Sequence, residues 1–209
     1  DTNLGCKMRV VSGLDWVFSQ VEDAIIIEDD CVPDQSFFPF CAELLEKYRN
    51  EPKVMQIAGL NLQQGNSHFT TSGASYYFSQ FGEIWGWATW RRAWKLYNIN
   101  LEQWPKAKAA GMLSQRLKDP KTVDYWEYMF DTIYRMRSEP RAFDAWAAQW
   151  VFAQLLYGGL SAVSKTNLVI NEGDTTDATR SRSYNPEHIR RKIVPMTFPL
   201  IHPNTIGAN

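Results

Sequence analysis

Ala24-Ile25-Ile26-Ile27-Glu28-Asp29-Asp30 is the stretch on which the reading of this chain turns. A short apolar run rich in β-branched residues is too brief for a helix and suits a buried strand. The strand predicted is of the parallel kind, covered on both faces. It ends abruptly in three carboxyl groups. Upstream, Val10, Leu14, Val17, Phe18 and Val21 recur at helical spacing, so the local order is helix, strand, acidic triplet.

Working downstream, Ser36 is placed to cap a helix whose apolar stripe is Phe37, Cys41, Leu44, Leu45 and Tyr48, with Pro39 tolerated in its first turn. Val54 to Ala58 is a second strand stopped by Gly59, and a polar loop from Gly65 to Gly73 leads to a short strand at Tyr76-Tyr77-Phe78. The second half is more helical. Tyr125, Met129, Ile133 and Met136 form one stripe, and Trp146 to Tyr157 is apolar nearly all round before Gly158-Gly159 ends it. Leu160 to Val163 and Leu168 to Ile170 are strands. Residues 171–192 turn polar and basic and read as a mobile surface loop. The pattern is α/β.

The chain has 209 residues, 44% of them apolar, which suffices for one domain with a real core, and no repeat or linker divides it. Its 22 basic and 23 acidic residues leave a net charge of -1, which excludes a surface built as a whole for nucleic acid or anionic membrane. No apolar run approaches the roughly 20 residues of a membrane span, and the first residues lack a signal-peptide pattern. A soluble or membrane-peripheral protein of the cytoplasm is expected. Cys6, Cys31 and Cys41 lack metal-ligand spacing and are odd in number, so neither a zinc site nor a disulfide framework is indicated.

Three consecutive carboxylates at the end of a buried strand carry a desolvation cost of several kcal/mol each unless something compensates. A divalent cation does so most simply. Carboxylate oxygens suit Mg²⁺ or Mn²⁺, ions that keep positions open for water and phosphate oxygens. A nucleoside diphosphate is then the natural further ligand, bound outside the carboxyl end of the strand. An EF-hand calcium loop is disfavoured, because no glycine follows Asp29 or Asp30 at the sixth position. The bland alternative is a strand that ends in solvent.

Trp85-Gly86-Trp87, followed by Trp90 and Trp94, concentrates indoles in one stretch. Aromatic faces pack against pyranose rings. Trp90 and Trp94, four apart, read as structural residues on one helix face, whereas Trp85 and Trp87 are the candidates for stacking on a sugar.

The stretch from Met8 to Trp94, with IIIEDDCVPDQSFFPFCAELLEKYR and then IWGWATWRRAW, resembles bacterial GT-A glycosyltransferases of lipopolysaccharide and capsule type. It is similar, more distantly, to the Golgi N-acetylglucosaminyltransferase that initiates complex N-glycans. The likeness continues through QWVFA and NLVIN to about Arg180. It implies a Rossmann-like mixed sheet with flanking helices, and the nucleotide-binding N-terminal strands of that sheet are expected to be missing from this sequence. It also implies transfer of a sugar from a nucleoside-diphosphate donor, a UDP-sugar, to a hydroxyl of a glycan or lipid-linked glycan, with inversion.

Carried over by residue, the resemblance implies that Asp30 ligates the metal and that Glu28 and Asp29 contact the donor. Trp85, Gly86 and Trp87 would border the donor sugar. Asp144, before Trp146, resembles a catalytic Asp, and Asp177 in Asp177-Ala178-Thr179 is the second candidate acid. The relatives' Trp-Asp-x-Gln-Trp pattern reads Trp146-Ala147-Ala148-Gln149-Trp150 here, which leaves Ala147 where some relatives carry an acid. From its own position Asp144 also suits the N-cap of the helix that starts near Trp146. Arg180 stands where relatives carry a metal-binding His; with Arg182, Arg190 and Arg191 it is a candidate to fold over the diphosphate. His188 and His202 read as surface or structural. Two other functions remain open: a non-catalytic remnant or sugar-binding module, and a nucleotidyltransferase, whose Gly-rich phosphate loop is not seen.

Overall fold

The computed structural model describes residues 3–65, 73–139, 143–173 and 191–208. The chain partitions into two compact units, one from Asp1–Glu22 with Arg91–Gly159, the other from Asp23–Trp90 with Leu160–Asn209.

The second of these carries a mixed five-stranded sheet. Its strands are β1 (Asp23–Ile26), β3 (Val54–Ala58), β4 (Tyr76–Ser79), β5 (Trp87–Trp90) and β6 (Leu160–Ser164), in the order β1-β5-β3-β6-β4. Only β3 and β6 pair in parallel; the other neighbours are antiparallel. Every residue of β3 is buried, including Gln56, whose amide is held by the Glu83 carbonyl at 2.7 Å. A smaller two-stranded sheet joins β2 (Cys31–Pro33) to β7 (Val169–Asn171). The architecture is mixed α/β.

The isoleucine run does not form the strand covered on both faces. Among the described residues β1 is an edge strand with one neighbour, antiparallel β5; all four of its residues are half-buried, and Ile27 beyond it is 37% exposed. Branched apolar residues favour any pleated, partly covered surface, so the run cannot by itself distinguish edge from centre. β3, with its buried Gln56, and β5 are buried along their whole length. At the far side of the sheet, Ser75 N donates to Ile201 O at 2.7 Å and Phe78 bridges to Ala208, so the last described segment borders β4.

Helix α2 (Phe37–Lys47) supplies much of the core of this unit. Phe37, Phe40, Cys41 and Leu44 are fully buried, each aliphatic or aromatic side chain stabilising the fold by about 1.5–3 kcal/mol. The predicted stripe is observed. The predicted Ser36 cap is not: the Ser36 hydroxyl donates to Asp34 Oδ1 and accepts from Met196 N at 2.8 Å, so it ties two chain segments together instead of capping α2. His202 is structural, its Nδ1 lying 3.0 Å from the Tyr76 hydroxyl and its Nε2 3.4 Å from Glu43.

The other unit is helical, with α1 (Gly5–Gln20), α3 (Arg91–Trp94), α4 (Trp104–Ala109), α5 (Met112–Arg116), α6 (Pro120–Arg135) and α7 (Ala147–Tyr157). Trp94 lies at its centre: the indole stacks on Tyr97 at 4.4 Å, donates to Asp15 Oδ1 at 2.8 Å, and packs against Phe18, Trp146 and Trp150. Trp90 and Trp94 are both buried, as structural residues should be, but they end β5 and α3 respectively and share no helix face.

Two helical stripes are rotated from their predicted positions. In α1 the buried residues are Lys7, Val11, Leu14 and Phe18, while Val21 is 43% exposed. The aliphatic stem of Lys7 takes a core position that a hydropathy count assigns to water. In α6, Phe130 and Ile133 are buried and Tyr125 is 54% exposed, because Phe130 packs on Trp104 and Phe152, each at a centroid distance near 5.2 Å. α6 begins with Pro120 after Asp119, which accepts from Thr122 N at 2.9 Å. No helix of the described residues is long and apolar enough to cross a membrane.

Cys6 is exposed, and Cys31 and Cys41 are buried, all three as free thiols. Burial raises the Cys41 thiol well above its ordinary range; burial, then the neighbouring Asp30, raises Cys31 to about 12, and burial raises the Tyr77 phenol to about 12. These groups are neutral in the fold and ionise more readily in the unfolded chain, where a thiol titrates near about 8.5. Their contribution to stability is therefore complete below that pH and is lost as pH rises toward 12. Urea midpoints measured from pH 8 to pH 11 should fall steadily; a flat profile would contradict the burial of these groups.

Candidate functional site

The acidic triplet lies in the turn that links β1 to β2. Glu28 O accepts from Cys31 N at 3.0 Å, closing a turn with Asp29 and Asp30 at its corners. The β2–β7 pairing then continues one step past its last residue, as Glu172 N donates to Asp30 O at 2.8 Å. Asp29 is exposed; Glu28 and Asp30 are half-buried. The ion pairs formed among the described residues include neither Asp29 nor Asp30. The neutral Cys31 thiol lies 3.5 Å from Asp30 Oδ1 and donates to it.

The sheet register decides what surrounds this turn. β1 and β3 both run antiparallel to β5, and β6 runs parallel to β3, so β1, β3 and β6 share one direction. Their carboxyl ends lead into Glu28-Asp29-Asp30, the segment from Gly59 to Gln64, and Lys165-Thr166-Asn167. In open α/β sheets this is the end at which ligands bind. β5 begins there: Trp87 is opposite Ile26 on one side and Ala58 on the other, and Gly59 N donates to Gly86 O at 2.9 Å. The structure thus brings the triplet and the start of the Trp-Gly-Trp segment to one end of one sheet.

Gly86 is required there. Its φ is +63°, and a Cβ would come within 2.5 Å of Val169 Cγ2 on β7. Trp85 is half-buried and packs against the core. Trp87, which the sequence placed with it against the sugar, is fully buried in β5. Its indole belongs to the core and has no face open to a ligand, which leaves Trp85 as the aromatic residue of this segment able to meet one.

A polar scaffold behind these loops was not among the predicted site residues. Asn61 Nδ2 donates to Ser164 O and Lys165 O at 2.8 and 2.9 Å, and Asn61 N donates to Asn167 Oδ1 at 3.2 Å. Asn167 N donates to Gln64 Oε1, and Asn167 Nδ2 to Val169 O and Arg191 O. Both asparagines are almost wholly buried. The signal was an Asn a few residues beyond each of two strand ends, where its side chain can bond the backbone of a turn. Arg191 is part of this scaffold, donating from Nη1 to Gln64 O at 3.2 Å.

Among the described residues no three His, Cys, Asp or Glu side chains converge on one point. Mg²⁺ and Mn²⁺ do not need that, since one or two carboxylates and substrate phosphates complete their shells. Asp30, half-buried with neither Lys nor Arg paired to it among the described residues, fits such an ion. A cavity of about 410 Å³ is lined by Asp23, Ala24, Ile25, Leu45 and Arg49 among others, at the start of β1 and along α2; the triplet has no part in it.

Asp144 belongs to the helical unit. Its Oδ2 accepts from Cys6 N at 3.0 Å and its Oδ1 from Lys7 N at 2.7 Å, so it satisfies two donors at the start of α1, where Asn3 Oδ1 takes the Gly5 N–H. The sequence assigned Asp144 as a cap to the wrong helix: α7 is entered through Trp146 with no side-chain cap. A carboxylate at this place also meets the positive end of the α1 dipole. Asp177 and Arg180, like Arg182, His188 and Arg190, lie outside the described residues. Asp144→Ala should lower unfolding stability by about 1–2 kcal/mol, and Asp144→Asn should restore most of that, as followed by chemical denaturation.

No family model matches this chain, and no curated protein matches it either.

Proposed function

We propose that this chain is a metal-dependent glycosyltransferase domain of GT-A type, taking a sugar from a nucleoside-diphosphate donor, a UDP-sugar, to a hydroxyl of a glycan or lipid-linked glycan. The observation that carries the reading is the Glu28-Asp29-Asp30 turn at the shared carboxyl end of β1, β3 and β6, beside Trp85-Gly86. In this reading Asp30 holds Mn²⁺ or Mg²⁺, and Glu28 and Asp29 contact the ribose and sugar of the donor. The ion supplies Lewis-acid neutralisation of the charge that gathers on the leaving diphosphate. Trp85 packs on an apolar sugar face, and Arg180 belongs to the basic segment assigned to the diphosphate.

Inverting transfer forms a bond from the acceptor oxygen to the anomeric carbon as the bond from that carbon to the diphosphate breaks, and the hydroxyl proton passes to a base. Asp144 and Asp177 are the acids proposed for that role. A second reading, a sugar- or nucleotide-binding module without transfer, is favoured by one observation: both Asp144 oxygens accept from the α1 backbone.

Calorimetric titration with UDP and UDP-sugars, with and without Mn²⁺, tests the first part. Binding should depend on Mn²⁺, and Asp30→Asn should weaken it by about 3 kcal/mol, roughly a hundredfold; binding indifferent to the metal would sink the proposal. Asp144→Asn separates the two readings, because Asn caps a helix about as well as Asp but cannot accept the proton. A transferase should lose about 10²–10⁴-fold in turnover with donor affinity retained. Unchanged turnover removes Asp144 from the base role, and binding without turnover in the unaltered protein supports the module.

A further inference from the structure

Gly173 follows β7 at the point where the chain passes the acidic turn. A Cβ built there would lie 3.0 Å from both Asp30 Cβ and Asp30 Cγ, and nearer still to Asp30 Oδ2. Real Cβ atoms essentially never come as close to a neighbour as this one would to Oδ2. The close approach is fixed from both sides. Glu172 N donates to Asp30 O at 2.8 Å, which clamps the two backbones, and Gly173 N donates to Asn171 Oδ1 at 2.8 Å, which sets the path of the chain after β7. Asn171 is opposite Cys31, and Cys31 donates its thiol hydrogen to the other Asp30 oxygen. The Asp30 side chain therefore rests on bare backbone, with one oxygen over Gly173 and the other engaged by Cys31.

We infer that Gly173 is a positioning residue for Asp30: the missing side chain is the seat in which the carboxylate lies, and any larger residue turns that carboxylate away from the direction in which it would meet a cation. This rests on the reading of Asp30 as the metal ligand. It extends that reading from a residue to the surface that orients it, because ligands are held in direction by groups that never touch the ion. Gly13, in the middle of α1, is the contrast: a Cβ there meets nothing within 4 Å.

The test is Gly173→Ala, with Mn²⁺ affinity read by electron paramagnetic resonance in the presence of UDP, alongside thermal unfolding without metal. The variant should bind Mn²⁺ about 10–100-fold more weakly, while Gly13→Ala binds as the unaltered protein does. Equal Mn²⁺ affinity in Gly173→Ala and the unaltered protein would overturn the inference. Failure of the unaltered protein to bind Mn²⁺ would instead overturn the assignment of Asp30, so the two failures are distinguishable. The steric part has its own test. In an Asp30→Ala background the carboxyl group is gone, so Gly173→Ala should lower the melting temperature less than it does when Asp30 is present. Equal losses in both backgrounds would show that Gly173 does not seat Asp30, and this holds even where the single variant is too unstable to titrate.

Discussion

Trp87 is registered on both sides at once, against Ile26 of β1 and against Ala58 of β3. That double pairing is the constraint on which the candidate site depends. With β5 fixed between two strands that run opposite to it, the turn after β1 and the loop after β3 must leave the sheet at the end where β5 enters. A one-residue slip of β5 would send Trp87 and Ala88 to the wrong faces of a sheet whose interior they fill, so burial enforces the register. The position of the acids relative to Trp85-Gly86 thus follows from core packing and needs no special arrangement of the loops themselves.

The loops are then fastened by a few buried polar contacts. Asn61 and Asn167 join the segment after β3 to the segment after β6, and the β2–β7 pair carries the acidic turn. Close backbone approaches at Gly86 and Gly173 connect that pair to its neighbours, with Val169 against the first and Asp30 against the second. Chemistry-bearing groups at the surface are thereby supported by residues with no chemistry of their own.

Much of this fold could be read from the sequence, and the exceptions have physical causes. Strand β3, the apolar stripe of α2 and the helix ending at Gly158 follow from periodicity and from punctuation by glycine. The edge position of β1 does not, because a run of isoleucines looks alike with one neighbour or two. Nor does the burial of Lys7 and Gln56: each is polar by type, yet one buries its stem and the other satisfies its amide inside the sheet. In the candidate site, Glu28, Asp29, Asp30, Trp85 and Gly86 were identifiable as a set. The burial of Trp87, the cap that Asp144 gives to α1, and the seat at Gly173 depend on contacts between residues far apart in the chain, and local pattern carries no record of those.

The sheet order has a consequence for how the protein is made. Among the described strands of the sheet, β4 has β6 as its neighbour, and β6 comes after the whole of Arg91–Gly159. During synthesis β1, β3 and β5 can assemble while β4 has emerged without its partner. The backbone edge of β4 that pairs with Leu160–Ser164 waits for that strand, while Phe78 already has Tyr48 and Tyr76 to pack on. Pairings of such long sequence separation close slowly and expose apolar edges while they wait. For this chain, the span between the synthesis of Ser79 and that of Ser164 is therefore an interval in which the β4 edge lacks its sheet partner.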